Sequence, residues 1–182
     1  TLSSGLPALA TQPVIEPVRI LAGVEDTLLI LEQHWGNAAP KGLTKLRKHW
    51  EQAQNAHPAA LQAELNEMRN HCNGLQEPAL QQGDEVKRWA GNLHQQLNEL
   101  CAEWALWFSW LSDSMPELEQ IPSLHWLANP PERLTLSTEQ QTQLDAVQQL
   151  AAERLEQLAQ LARRQTAKAQ MDFSFLDDDA TH

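Results

Sequence analysis

At 182 residues and 20.5 kDa the chain has the length of one domain, enough to bury about two-thirds of the surface that its unfolded form would expose. Its 13 Lys/Arg against 24 Asp/Glu give a formal charge of −11, and a surface of that sign repels phosphate backbones and anionic headgroups, so nucleic acid and membrane surfaces are poor partners. The excess is local: residues 58–136 hold 4 basic and 11 acidic residues, and the tail from Met171 onward adds 4 Asp and no base.

In chain order, Thr1-Leu2-Ser3-Ser4-Gly5-Leu6 lacks an initiator Met and reads as the end of an apolar helix belonging to something larger. Pro13 and Pro17 bracket an entry loop. Apolar residues then recur at Val18, Leu21, Ala22, Leu28, Leu31 and Trp35 until Gly36, Asn37 and Pro40, which predicts a first helix by period and stop signal. A second runs from Lys41 through Leu43, Leu46 and Trp50. It must end before Pro58, because the residue preceding a proline disfavours the α region. Leu61, Leu65, Met68 and Cys72 mark a third, closed by Asn73-Gly74. Cys72 and Cys101 both sit within helical patterns and are expected as buried thiols rather than as a bridge.

After Gly83, apolar residues fall at Val86, Trp89, Leu93, Leu97, Leu100, Trp104, Phe108, Leu111 and Met115 until Pro116. That spacing predicts one helix of about thirty residues, roughly 45 Å long. Leu106, Trp107 and Trp110 widen its stripe near the end, as in a helix covered on all sides. The longest apolar run, Trp104–Leu111, is interrupted by Ser109 and falls well short of the roughly 20 residues that span a bilayer. From Pro116 to Leu136 the period is lost, apart from a short turn around Ser123–Leu127. Ser137-Thr138-Glu139-Gln140 then forms a capping box, and a last helix passes through Leu144, Val147, Ala151, Leu155, Leu158 and Ala162 to about Gln170. The two long helices are expected to pack antiparallel. The absence of tyrosine and the lack of strand alternation agree with an all-α fold.

Catalytic chemistry is not evident. The seven histidines form no i, i+3 or i, i+4 pair, and no His/Cys/carboxylate spacing matches a zinc motif, so no metal or cofactor is expected. Glu99 and Glu103 share a helical face and read as solvated. There is neither a nucleophile elbow nor a glycine-rich phosphate loop. Seven tryptophans are many for this length. Trp35, Trp50, Trp89 and Trp104 fall at core periodicity, whereas Trp107, Trp110 and Trp126 lie off the stripe or in a loop and are the candidates for stacking on carbohydrate.

The tail, Met171-Asp172-Phe173-Ser174-Phe175-Leu176, resembles the Met-x-Phe-x-Phe-Leu segment of cyclic β-1,2-glucan synthases, very large bacterial inner-membrane enzymes. In that family an aromatic-Asp pair follows, then a segment of the type Leu-Phe-x-Ile-Gly-Tyr; here Asp177 takes the aromatic position. Thr1–Leu6 more loosely resembles the continuation of the family's Ser-Gly-Asn-Leu-Ala-Gly-like motif. The resemblance covers about six residues at each end. It implies a helical subdomain of the central transglycosylation region, in a parent that polymerises glucose from UDP-glucose and closes the glucan into a ring. None of the family's catalytic motifs has a counterpart here, so no catalytic residue is carried over.

The expected organisation is an all-α bundle of about five helices over residues 1–170, followed by a linker, 171–182, leading toward a further domain. The resemblance implies neighbouring domains of the parent as partners, β-1,2-glucan as a possible ligand, and a place on the cytoplasmic side of the inner membrane. As an isolated chain, uncovered Leu2, Leu6, Phe173, Phe175 and Leu176 favour a homodimer. A free-standing helical adaptor and a glucan-binding module are the alternative readings.

Overall fold

The computed structural model describes residues 9–111, 118, 120–132 and 134–180, with side chains through Met171. Seven α-helices are described: α1 (Pro17–Trp35), α2 (Lys41–Gln54), α3 (Pro58–Asn73), α4 (Gln76–Gln82), α5 (Asp84–Phe108), α6 (Leu124–Ala128) and α7 (Thr138–Ala180). The described residues contain no strand; an isolated antiparallel bridge joins Pro13 and Ser123. The chain divides into two compact units, one of residues 15–121 and one of residues 1–14 with 122–182.

Helices α1, α2, α3 and α5 make the first unit a four-helix bundle. α1 packs on α2, α2 on α3, α3 on α5 and α5 on α1, which closes the ring. Directions follow from the bonds across each seam. The indole N–H of Trp50 donates to the Leu21 carbonyl at 2.7 Å while Arg47 reaches Glu32, so α2 runs against α1. Cys72 Sγ lies 3.9 Å from the Ala90 carbonyl and Cys101 Sγ 3.6 Å from the Leu65 carbonyl, so α5 runs against α3. Thr27 Oγ1 donates to Gln96 Oε1 at 2.9 Å across the α1–α5 seam. The result is an up-down-up-down bundle with short connections.

The core follows the helical period with instructive departures. In α1 the stripe is Leu21, Val24, Thr27, Leu28, Leu31 and Trp35. Val18, expected in that stripe, is 82 % exposed, and Ala22 is exposed as well. In α5, Trp89 is only half-buried, its ring 5.6 Å from the Arg88 guanidinium carbon, and Ala90 takes the core position. At this small residue Cys72 of α3 and Gln76, at the start of the helix that follows α3, both reach the Ala90 carbonyl, Gln76 Nε2 donating to it at 3.1 Å.

α5 also stops earlier than its apolar spacing implies, at Phe108 rather than at Pro116. The Leu111 amide donates to Phe108 O at 3.0 Å instead of continuing the α pattern, and the Trp110 indole N–H takes the Trp107 carbonyl at 2.7 Å. A buried side chain thus satisfies a carbonyl that the last turn leaves open. Leu106 is 49 % exposed, so the apolar stripe does not encircle this end. Met115 and Pro116 lie outside the described residues.

α4 has no counterpart among the helices that the apolar spacing predicts. Pro78 sits in its first turn, where a missing amide costs nothing, and Leu75 and Ala79 are fully buried. α4 connects to α5 through Gly83, at φ 134° and ψ 171°, a region essentially confined to glycine.

In the second unit the Val14 amide donates to Pro122 O at 2.9 Å and the His125 amide to Ala10 O at 3.1 Å, tying the two chain segments together. α6 packs on α7 through Leu127, Ala128, Leu144, Val147 and Ala151, and Gln148 Nε2 donates to Ala128 O at 3.0 Å. The capping box forms as expected: Gln140 N donates to Ser137 Oγ at 3.2 Å and Ser137 N to Gln140 Oε1 at 2.9 Å. The helix does not stop near Gln170 but continues as helical backbone to Ala180.

Two glycine-to-alanine substitutions should have opposite signs. Neither Gly83 nor Gly91 would place a new Cβ within 4 Å of another group, so backbone conformation decides. Gly83→Ala should cost about 1–3 kcal/mol, as a non-glycine residue is strained there. Gly91→Ala, on the exposed face of α5, should stabilise by about 0.5–1 kcal/mol. Urea unfolding of both variants checks the pair.

Candidate functional site

Of the three tryptophans picked out for carbohydrate, Trp107 is 5 % exposed and Trp110 0 %. Stacking on a sugar needs an open indole face, which this burial denies both rings; Trp110 instead closes the end of α5. Trp126 is half-buried on α6, in the other unit. Glu99 and Glu103 are exposed, as expected, with Glu99 accepting from Gln95 at 3.1 Å.

The α2–α3 pair brings together five side chains, two from α2 and three from α3, that no single helix could gather. Residues 55–57 reverse the chain before Pro58, and the two helices run back along each other. His49 of α2 therefore meets Glu64 of α3, with Nδ1 2.6 Å from Oε2. Gln52, with its amide nitrogen turned toward the same carboxylate, donates to both Glu64 oxygens at 3.3 and 3.2 Å. The other ring nitrogen, Nε2, lies 4.0 Å from Glu67 Oε2. One helical turn beyond Glu67, His71 Nε2 lies 3.7 Å from the same oxygen. The two imidazoles stack, with centroids 5.4 Å apart and planes inclined by 22°.

Each imidazole is 23 % exposed and Glu67 is 49 % exposed, so the cluster is anchored on the bundle and reachable from solvent. Burial, then the neighbouring His49 and Lys45, push the His71 pKa below its ordinary 6.5, against the opposing pull of Glu67. The fold thus favours neutral His71. Its contribution is present above the unfolded value and lost as pH falls through and below it.

A second concave feature, an open groove of about 340 Å³, lies between α3 and α5 and is lined by Gln62, Asn66, Arg69, Asn98, Cys101 and Trp104 among others. The Trp104 indole N–H, fully buried, has no partner among the described residues. The groove offers hydrogen-bond donors and one cation, but its described lining holds no carboxylate or imidazole for acid–base work.

No protein-family model matches the chain, and neither a curated protein nor a solved structure is significantly similar to it. The fold and the side-chain geometry are therefore the grounds on which function must be argued. They define the class as an all-α protein built on an up-down-up-down bundle. No described helix is long and apolar enough to cross a membrane.

Cys72 and Cys101 are free and buried, as the sequence implies. Desolvation pushes the Cys72 thiol up to about 12, with Gln76 opposing, and raises Cys101 as well. Thiolate is the reactive form, so both should resist iodoacetamide in the native protein at pH 8 and react on unfolding in urea. For thiols with raised pKa, the stabilising contribution is complete below the ordinary value of 9.0 and is lost as pH climbs toward the folded value. Mass spectrometry after timed alkylation, with urea melts on both sides of pH 9, checks both expectations.

Proposed function

We propose that this chain is a non-catalytic helical subdomain of a cyclic β-1,2-glucan synthase-like enzyme, serving to pack against the catalytic domains of its parent on the cytoplasmic side of the inner membrane. The family part of this reading rests on Met171–Leu176 and, more loosely, on Thr1–Leu6.

The observation that carries the structural role is α7. Among its described side chains the last buried one is Ala151, yet the helical backbone continues to Ala180. Leu155, Leu158, Ala159 and Ala162 remain half-buried and Leu161 is exposed, an apolar stripe with no buried position. Propensity alone leaves isolated helices marginal, and most helical stability comes from packing an amphipathic face. A neighbouring domain would supply that packing. In its absence a second copy is the substitute, which is why the isolated chain is expected to dimerise. Leu2, Leu6 and the side chains of Phe173, Phe175 and Leu176 lie outside the described residues.

The burial of the best-placed tryptophans favours this role over a glucan-binding module. The chain incubated with UDP-glucose, or with linear β-1,2-glucan, should yield neither chain extension nor a cyclic product. Its tryptophan emission should not move with saturating glucan. Transfer activity would overturn the non-catalytic reading. The family assignment predicts that the coding frame continues past His182 into a Leu-Phe-x-Ile-Gly-Tyr-like segment, and a stop codon there would remove it.

A further inference from the structure

We propose that His49, Glu67 and His71 form a binding site for a divalent transition-metal ion of the zinc type, held between α2 and α3, with Glu64 orienting His49 from behind. The inference is independent of the glucan synthase reading.

Three ligand atoms from two helices, one ring nitrogen each of His49 and His71 and a Glu67 carboxylate oxygen, lie within 4.8 Å of one another. At metal–ligand bonds of 2.0–2.2 Å, neighbouring atoms of a tetrahedral site stand about 3.3 Å apart. The 4.0 and 3.7 Å separations from Glu67 are therefore a short side-chain adjustment away from ligation. They are also too long for the direct hydrogen bonds that would otherwise explain the convergence.

The partners of the ring nitrogens point the same way. His49 Nδ1 is engaged by Glu64 at 2.6 Å, and when its proton lies there Nε2 presents a lone pair toward the Glu67 carboxylate. His71 brings a second ring nitrogen to the same carboxylate oxygen, its Nε2 3.7 Å away. Electron-pair donors facing one point repel unless a proton or a metal cation lies among them. Glu64, steadied in turn by Gln52, is the carboxylate that a metal-ligating histidine ordinarily engages through its other nitrogen, fixing tautomer and ring orientation. Lys45 adds one positive charge near His71, but Glu64 and Glu67 supply two negative ones, so the site retains a net attraction for a dication.

Two imidazoles and one carboxylate suit zinc and its first-row neighbours better than calcium or magnesium, which prefer all-oxygen sets. The partial exposure of Glu67 leaves room for water as a fourth ligand. The ion would clip α2 to α3.

Calorimetric titration of the full chain with zinc chloride tests this. One equivalent should bind, raising the thermal midpoint. His71→Ala and the nearly isosteric Glu67→Gln should each abolish that isotherm and the thermal shift while retaining the native far-UV circular dichroism. Glu64→Gln should weaken binding about 10–100-fold, the usual effect of losing such an outer partner. No zinc binding by the native chain, or isotherms unchanged in folded His71→Ala or Glu67→Gln, would overturn the site. Unchanged affinity in Glu64→Gln would overturn the role given to Glu64.

Discussion

The reversal at residues 55–57 is the constraint from which most of the first unit follows. Pro58 forbids its predecessor an α conformation, and His57 takes extended backbone instead while its ring accepts the Ala59 amide at 3.2 Å. With so few residues between them, α2 and α3 must lie side by side and antiparallel. Positions at equal distance from the turn then meet: His49 faces Glu64, and Gly42 lies beside the His71 carbonyl, 3.5 Å from where a Cβ would stand. Leu43, Leu46, Trp50 and Ala53 turn inward on one helix and Leu61, Leu65, Met68 and Cys72 on the other. Every further contact of the pair is set by that register.

Around this hairpin, polar side chains specify which apolar surfaces meet. Arg47 spans to α1, pairing with Glu32 and with Glu25 at 3.3 Å, while its guanidinium carbon lies 4.9 Å from the centroid of the Trp50 ring. Arg47 is only 18 % exposed, so the pair is shielded from the full screening that makes surface ion pairs weak. Its carboxylate partners also raise the guanidinium pKa, led by the hydrogen bond to Glu32. On the α3–α5 side, Ala90 has the same effect by being small. Apolar burial supplies the gross driving force, and these few contacts choose one alignment among many that burial alone would tolerate.

Much of this was legible in the sequence because it is written in local periods and breakers. The boundaries of α2 and α3, their inward residues and the Ser137/Gln140 box required nothing beyond spacing and caps. The failures share a cause: each depends on what lies opposite a residue. Val18 has an apolar side chain at a helical interval, but no described neighbour covers it. Trp89 gives way to Ala90 because the α3–α5 seam needs a small side chain. α5 ends at Phe108, where the Trp110 indole donates to the Trp107 carbonyl, a contact that apolar spacing alone cannot reveal. α4, only seven residues long with Ala79 as its one buried position, is too short to show an apolar period.

The histidine–glutamate cluster shows the same limit at the level of chemistry. A search for ligands at i, i+3 or i, i+4 on one strand of sequence sees Glu67 and His71 as an ordinary helical ion pair, and His49 as unrelated. Folding the two helices about the reversal places His49 beside Glu64 and within reach of Glu67, so a hairpin register would have found what motif spacing could not. The same register explains why polar groups occupy this edge. It is the rim of the α2–α3 seam, where a side chain can be anchored on the core by its stem while its nitrogen meets solvent. Two stacked imidazoles and two carboxylates meet there from two helices, whereas Glu99 and Glu103 are exposed on one helix, so only the first group has the convergence that a bound ion requires.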